Sequence, residues 1–229
     1  MYPESQSLID LFGAKKVVEL LRPFVSARRQ LRIENVLNNR LESIEMALEM
    51  PSDIHNAFAV IRSCEIFGVT RLHIIAPEKL LNGIRPISKG ALDWIDIQFY
   101  ASTSEFLLNM QKKKIRLAGA IATQAISVNE IPINEPLCLL LGNELNGLSA
   151  AIKQACDWNY QIPMFGMTES LNLSVAAAIS LYETSRRKRA QLQASGDLNP
   201  SEWSHYQACY YLNSVNRRLI KGVFGKAIP

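Results

Sequence analysis

The chain lacks the residue spacings that mark a zinc site, a nucleotide-binding loop or a disulfide framework. Its four cysteines, Cys64, Cys138, Cys156 and Cys209, include no C-x-x-C pair, which removes zinc-ribbon and thioredoxin-type readings. The three histidines, His55, His73 and His205, have no metal-ligand spacing, so no metal is expected. No G-x-G-x-x-G joins a strand to a helix, which argues against a dinucleotide fold. P-loop, G-x-S-x-G and H-E-x-x-H patterns are also missing. The longest apolar runs, such as residues 136–141 and 175–179, fall far short of the ~20 residues of a membrane helix. Residues 1–13 have neither a basic start nor a long apolar stretch, so no secretory signal is expected and the reading is cytoplasmic.

Neither sign of charge dominates. Lys and Arg number 25 and Asp and Glu 21, a net charge of +4 that leans mildly toward a polyanionic partner. With 48% hydrophobic residues in 229, the chain can bury a sizeable core. Cys64 and Cys138 sit in apolar stretches and read as buried thiols.

Residues 8–39 read as helical, with Val17, Leu20, Leu21 and Phe24 as a stripe interrupted at Pro23. Ile33, Val36, Leu37 and Leu41 follow, surrounded by Arg28, Arg29, Arg32 and Arg40. These arginines suit either a solvated helix face or an RNA footprint. From residue 43, strands are expected at 72–76, 95–100, 116–121 and 137–141, the last a continuous buried run. Helices are expected between them at 56–67, 104–113 and 149–156. Residues 43–50 suit helix by composition and strand by position. The alternation predicts an α/β domain with a mostly parallel sheet.

Residues 173–193 read as a helix with Val175, Ala178, Ile179 and Tyr182 on one face, ending in Arg186, Arg187, Lys188 and Arg189. Basic residues there complement the helix dipole or bind RNA. Asn199, Pro200 and Glu202 open a further helix, with Trp203, Tyr206, Tyr210 and Arg217 expected along one face. The division expected is 1–42 helical, 43–193 the α/β domain and 194–229 a helical extension.

Three segments place polar groups where an α/β sheet ends, the usual ligand position. One is N-x5-R, with Asn56 suited to a helix N-cap and Arg62 on an otherwise apolar helix. Another is L-G-N-E-L-N-G-L-S at 141–149, a buried strand followed by a glycine-bounded turn that carries Glu144. The third is I-P-M-F-G-M-T-E-S-L-N-L-S-V-A-A-A at 162–178, whose loop delivers Ser170, Asn172 and Ser174 to a small-residue helix.

In this order and spacing, the three segments resemble the signature motifs of the SpoU/TrmH branch of SPOUT methyltransferases. The resemblance runs from about Arg28 to Arg187 and includes residues 88–94. It departs at Ile54, where a proline is common. It implies an α/β fold with a mostly parallel sheet and a C-terminal trefoil knot, flanked by N- and C-terminal helices. It also implies a homodimer and transfer of methyl from S-adenosylmethionine to an RNA ribose 2′-OH, with a tRNA D-loop guanosine as target. An rRNA 2′-O-methyltransferase and an inactive RNA-binding relative are the alternatives. By the same resemblance Arg62, Asn56, Glu144, Ser170 and Asn172 are catalytic, with Asn56 orienting Arg62. Ala120, Leu141, Gly142, Ile162 and Leu171 are implied to hold the donor, mainly through backbone groups. RNA contacts are expected from Arg28, Arg29, Arg32, Arg40, Arg186, Arg187, Lys188, Arg217 and Arg218.

Overall fold

The computed structural model describes residues 3–77 and 91–225, so residues 88–90 of the expected motif region lie outside it. The chain divides into two compact units. One combines Met1–Arg40 with Ser195–Pro229, and the other is Leu41–Ala194.

The first unit is helical. Residues 8–39 are not one helix broken only at Pro23. Gly13, at φ 79°, separates Pro3–Phe12 from Ala14–Leu21. That left-handed backbone costs glycine little and other residues more. Pro23 lies in a short 3-10 turn, after which Ser26 caps Ala27–Leu37 by accepting from the Arg29 N–H. Pro200–Asn213 begins with the expected capping box of Asn199 and Glu202 and packs on the Ala14–Leu21 and Ala27–Leu37 helices. Tyr206 and Tyr210 are buried, and the Trp203 Nε1–H donates to Asn38 Oδ1 at 3.1 Å. Arg217 is not on their face: Asn216 caps a separate helix, Arg217–Phe224. Arg40, expected among the RNA contacts, is 1% exposed, with its guanidinium 5.8 Å from the Tyr210 ring. It is a packing residue and cannot reach a phosphate.

The second unit is built on a seven-stranded sheet: β1 Ile44–Glu49, β2 Arg71–Ile75, β3 Asp96–Tyr100, β4 Arg116–Ala120, β5 Ile126–Ser127, β6 Leu137–Leu141 and β7 Trp158–Gln161. The spatial order is β3-β2-β1-β6-β4-β7-β5, and every pairing among these described strands is parallel. Within the ambiguous 43–50 segment, Ile44–Glu49 is therefore a strand, wholly buried despite its two glutamates. Glu45 is held by Arg71 and His73; burial opposes its charge, but these partners hold its carboxyl below the usual range. Glu49 is satisfied by Ser149 and Thr103. Charged residues in a central strand are tolerated because each has close partners.

Alternate residues of β1 feed opposite cores. Ile44, Met46 and Leu48 face Val60, Ile61 and Cys64 of the Ile54–Phe67 helix and Ala177 and Leu181 of the Leu173–Leu192 helix. Ala47 faces Phe106 and Met110 of Thr103–Lys113 and Ile152 of Ala150–Ala155. Burying each large side chain contributes roughly 1.5–3 kcal/mol. Strands β5 and β7 were not expected from the sequence; they extend the sheet beyond β4.

The basic end of the Leu173–Leu192 helix mostly serves this fold. Lys188, 5% exposed, donates to the Ile133 carbonyl at 2.7 Å. Arg187 donates to the carbonyls of Val128 and Ile131. These two expected RNA contacts instead satisfy loop carbonyls that have no sheet partner. Arg186 is exposed and pairs with Glu183.

Candidate active site

Parallel strands leave their carboxyl ends together, and here three loops meet after β1, β6 and β7. In the first, Asp53 rather than Asn56 is the helix N-cap, accepting from the His55 N–H at 2.8 Å. Capping three residues earlier places Asn56 inside the first turn and frees its amide for longer-range bonds. The Asn56 Nδ2 donates to Glu144 Oε1 at 3.0 Å, and its Oδ1 accepts from Asn172 Nδ2 at 3.1 Å. Asn172 Oδ1 in turn accepts from the Ser174 N–H and hydroxyl while capping Leu173–Leu192. A carboxylate only accepts, so Glu144 fixes which way the Asn56 amide points, and Asn56 then fixes Asn172.

Glu144 also accepts from the Ser52 N–H at 2.9 Å and the Ser52 hydroxyl at 2.6 Å. Partial burial alone would raise its carboxyl. The Ser52 and Asn56 hydrogen bonds outweigh that and hold it at about 2. The carboxylate is therefore ionised near neutrality and is a fixed acceptor, not a proton carrier.

The turn after β6 is clamped at both ends. Asn143 Nδ2 donates to the Met50 carbonyl at 2.8 Å, while Asn143 Oδ1 accepts from the N–H groups of Leu145 and Asn146. At the far end, Glu49 accepts from the Ser149 N–H and hydroxyl, both at 2.7 Å, and from the Thr103 hydroxyl at 3.0 Å. At its start Gly142 lies so close to the returning chain that a Cβ would fall 2.1 Å from the Gly147 carbonyl carbon. Ser52, Asn143, Glu49 and Ser149 are site-building residues that the sequence reading missed.

Arg62 is not joined to this network. Six residues beyond Asn56 it lies about 9 Å along the axis and on another face of the helix. Its side chain is exposed and has no ion pair or hydrogen bond among the described residues. The amide of Asn56, implied to orient it, is engaged by Glu144 and Asn172 instead. The guanidinium fork is thus open to a ligand. Ser170 is exposed on the wall of the adjoining cleft.

That cleft has a volume of about 470 Å³ and is lined by Ala120, Leu141, Gly142, Ile162 and Leu171, together with Glu144 and Ser170. The size suits a nucleoside-sized ligand. Its apolar walls suit an adenine, and the close backbone approach at Gly142 brings peptide groups to the wall. These residues fit S-adenosylmethionine. Among the described residues one cluster, Glu45, His73 and Cys138, has metal-ligand proximity. It is a poor ligand set, because Arg71 and His73 already occupy Glu45 and burial pushes the Cys138 thiol well up.

Residues 43–182 match the SpoU rRNA methylase family. A tRNA (guanosine(18)-2′-O)-methyltransferase of Borreliella burgdorferi is 33% identical over 205 residues, covering 87% of this chain and 92% of that protein. The crystal structure of the Aquifex aeolicus TrmH/SpoU tRNA modifying enzyme is similar with a TM-score of 0.72 and 26% identity, covering 83% of this chain and 98% of that one. The SpoU methyltransferase AviRb of Streptomyces viridochromogenes, solved in complex with AdoMet, has a TM-score of 0.57 and 27% identity over 67% of this chain and 62% of its own. With matching motifs, sheet and cleft, the chain belongs to the SpoU rRNA methylase family.

Proposed function

We propose that the protein transfers a methyl group from S-adenosylmethionine to the ribose 2′-oxygen of a tRNA guanosine. The observation that carries this reading is the Glu144–Asn56–Asn172 chain of hydrogen bonds at the edge of an apolar cleft. Substrate and donor follow the names of the relatives described above.

The donor supplies an electrophilic methyl group on a sulfonium, a good leaving group. What remains for the protein is alignment and help with a poorly acidic hydroxyl. Arg62 is a weak base, since a guanidinium keeps its proton beyond about pH 12. Its open fork suits a phosphate next to the acceptor ribose, and it stabilises charge developing on the 2′-oxygen. Asn56 and Glu144 hold the three loops in register, and Asn172 and Ser170 complete the wall where donor and RNA meet. Exposed Arg28, Arg32, Arg217 and Arg218 suit phosphates farther along the RNA, with Arg29 beside them, bonded to Ser214. Purified protein incubated with tRNA and donor, chelator present, should yield 2′-O-methylguanosine on nucleoside analysis. Methylation of a base instead, or of rRNA alone, would defeat the assignment.

The same reading includes the trefoil knot and a homodimer. What supports the dimer is an apolar row on one face of the Leu173–Leu192 helix: Val175 is 45% exposed, Ile179 36% and Tyr182 55%. Three large apolar groups at this spacing form a patch that a second copy would cover. Ala177, by contrast, is fully buried in the core and is not part of this face. Ile179→Arg should shift the protein to monomer in sedimentation and lower activity with it. A fully active monomer, wild-type or variant, would contradict a site shared between copies.

A further inference from the structure

The donor cleft carries charges beyond the one that the methyl transfer uses. Three ionisable side chains line it: Glu144, Lys153 and Glu169. Glu144 is saturated by Ser52 and Asn56. Lys153, on the Ala150–Ala155 helix, is the one cation among the described lining residues; its side chain is exposed and has no ion pair or hydrogen bond to another described residue. Glu169 reaches the same cleft from the loop after β7, also exposed.

On the methyl-donor reading, on which this inference rests, the end of the donor that does not react must also be held. S-adenosylmethionine carries two positive groups, a sulfonium and an α-ammonium, and one negative group, an α-carboxylate. The two positive groups are compatible with a cleft bordered by two glutamates. The carboxylate is repelled by both and has one attractive side chain within the cleft. We propose that Lys153 binds the α-carboxylate of the donor and so makes the cleft selective for donors that keep their amino-acid end. Apolar walls and backbone groups would accept the adenosine of any related nucleoside. Lys153 distinguishes S-adenosylmethionine from 5′-methylthioadenosine, which has the same nucleoside but no carboxylate.

The test is calorimetric binding of both compounds to the full-length protein without RNA. A hydrogen bond to a charged group is worth enough that Lys153→Gln should weaken S-adenosylmethionine binding by about tenfold or more. Binding of 5′-methylthioadenosine should stay at the wild-type level, and Lys153→Arg should largely restore the donor. Equal weakening of both compounds would show that Lys153 shapes the cleft without reading the carboxylate, and would overturn the proposal. So would unchanged donor binding; if a parallel titration with tRNA were weakened, Lys153 would be a phosphate contact. A wild-type protein that binds neither compound would instead sink the methyl-donor reading itself.

Discussion

Replacing Arg62 with lysine or alanine should lower the single-turnover rate of methyl transfer by about 10²–10³-fold, the usual cost of losing one transition-state electrostatic contact. Donor binding, measured by calorimetry, should change little, because Arg62 does not line the donor cleft. The fold should survive. The helix is anchored by Ala57, Val60, Ile61 and Cys64, all buried, whereas Arg62 is exposed with no partner to lose among the described residues. Lysine is the informative substitution. It keeps the charge and much of the stem but not the planar fork that can grip two oxygens at once. If Arg62 merely covers apolar helix surface with its stem, lysine would be nearly silent. A lysine variant with a near-wild-type rate would remove Arg62 from the mechanism.

Gly142→Ala should abolish donor binding and destabilise the protein. The added methyl would fall 2.1 Å from the Gly147 carbonyl carbon and 2.2 Å from the Leu148 nitrogen. Both are backbone atoms, which cannot swing aside as a side chain can. The turn after β6 would have to open, although Asn143 and Glu49 tie its two ends to the end of β1. Overpacking typically costs about 1–3 kcal/mol. In a chain of this size that lowers Tm by several degrees, at about 2–4 °C per kcal/mol. Gly166→Ala is the matched control, since a Cβ there meets nothing within 4 Å. Thermal melting and donor calorimetry on both variants decide the matter. A Gly142→Ala protein that binds donor normally would mean that the turn is not a wall of the donor site.

The parts legible in the sequence were those with local signals. The run at 137–141 reads as a buried strand because both its neighbours are strands and both its faces are covered. The cap at Asn199 reads correctly because its partner, Glu202, is three residues away. The clamps of the site have no such signal. Ser52 and Glu144 are 92 positions apart, and Glu49 and Ser149 are 100 apart. Nothing near Glu49 reveals that a serine in a distant turn will complete it. The same gap explains Asn56, which has the composition of a cap yet is displaced from that role by Asp53. The basic run at Arg187 and Lys188 looks like a surface for RNA because its takers, the carbonyls of Val128, Ile131 and Ile133, are more than 50 residues upstream. Strand β7 is not legible because Trp158–Gln161 is too short for a clear alternation, and only pairing with β4 and β5 defines it.

The claim that the accepting atom is a ribose 2′-oxygen of a tRNA guanosine can be tested by removing that atom. Two tRNA substrates would be compared, identical except for 2′-deoxyguanosine at the D-loop position that the relatives' name specifies. Transfer of labelled methyl from S-adenosylmethionine would be followed on each. The account predicts methylation of the all-ribose tRNA and none of the deoxy-substituted one. It also predicts that the deoxy tRNA still binds and inhibits competitively, since the phosphate and base contacts are retained. Equal methylation of both tRNAs would contradict it.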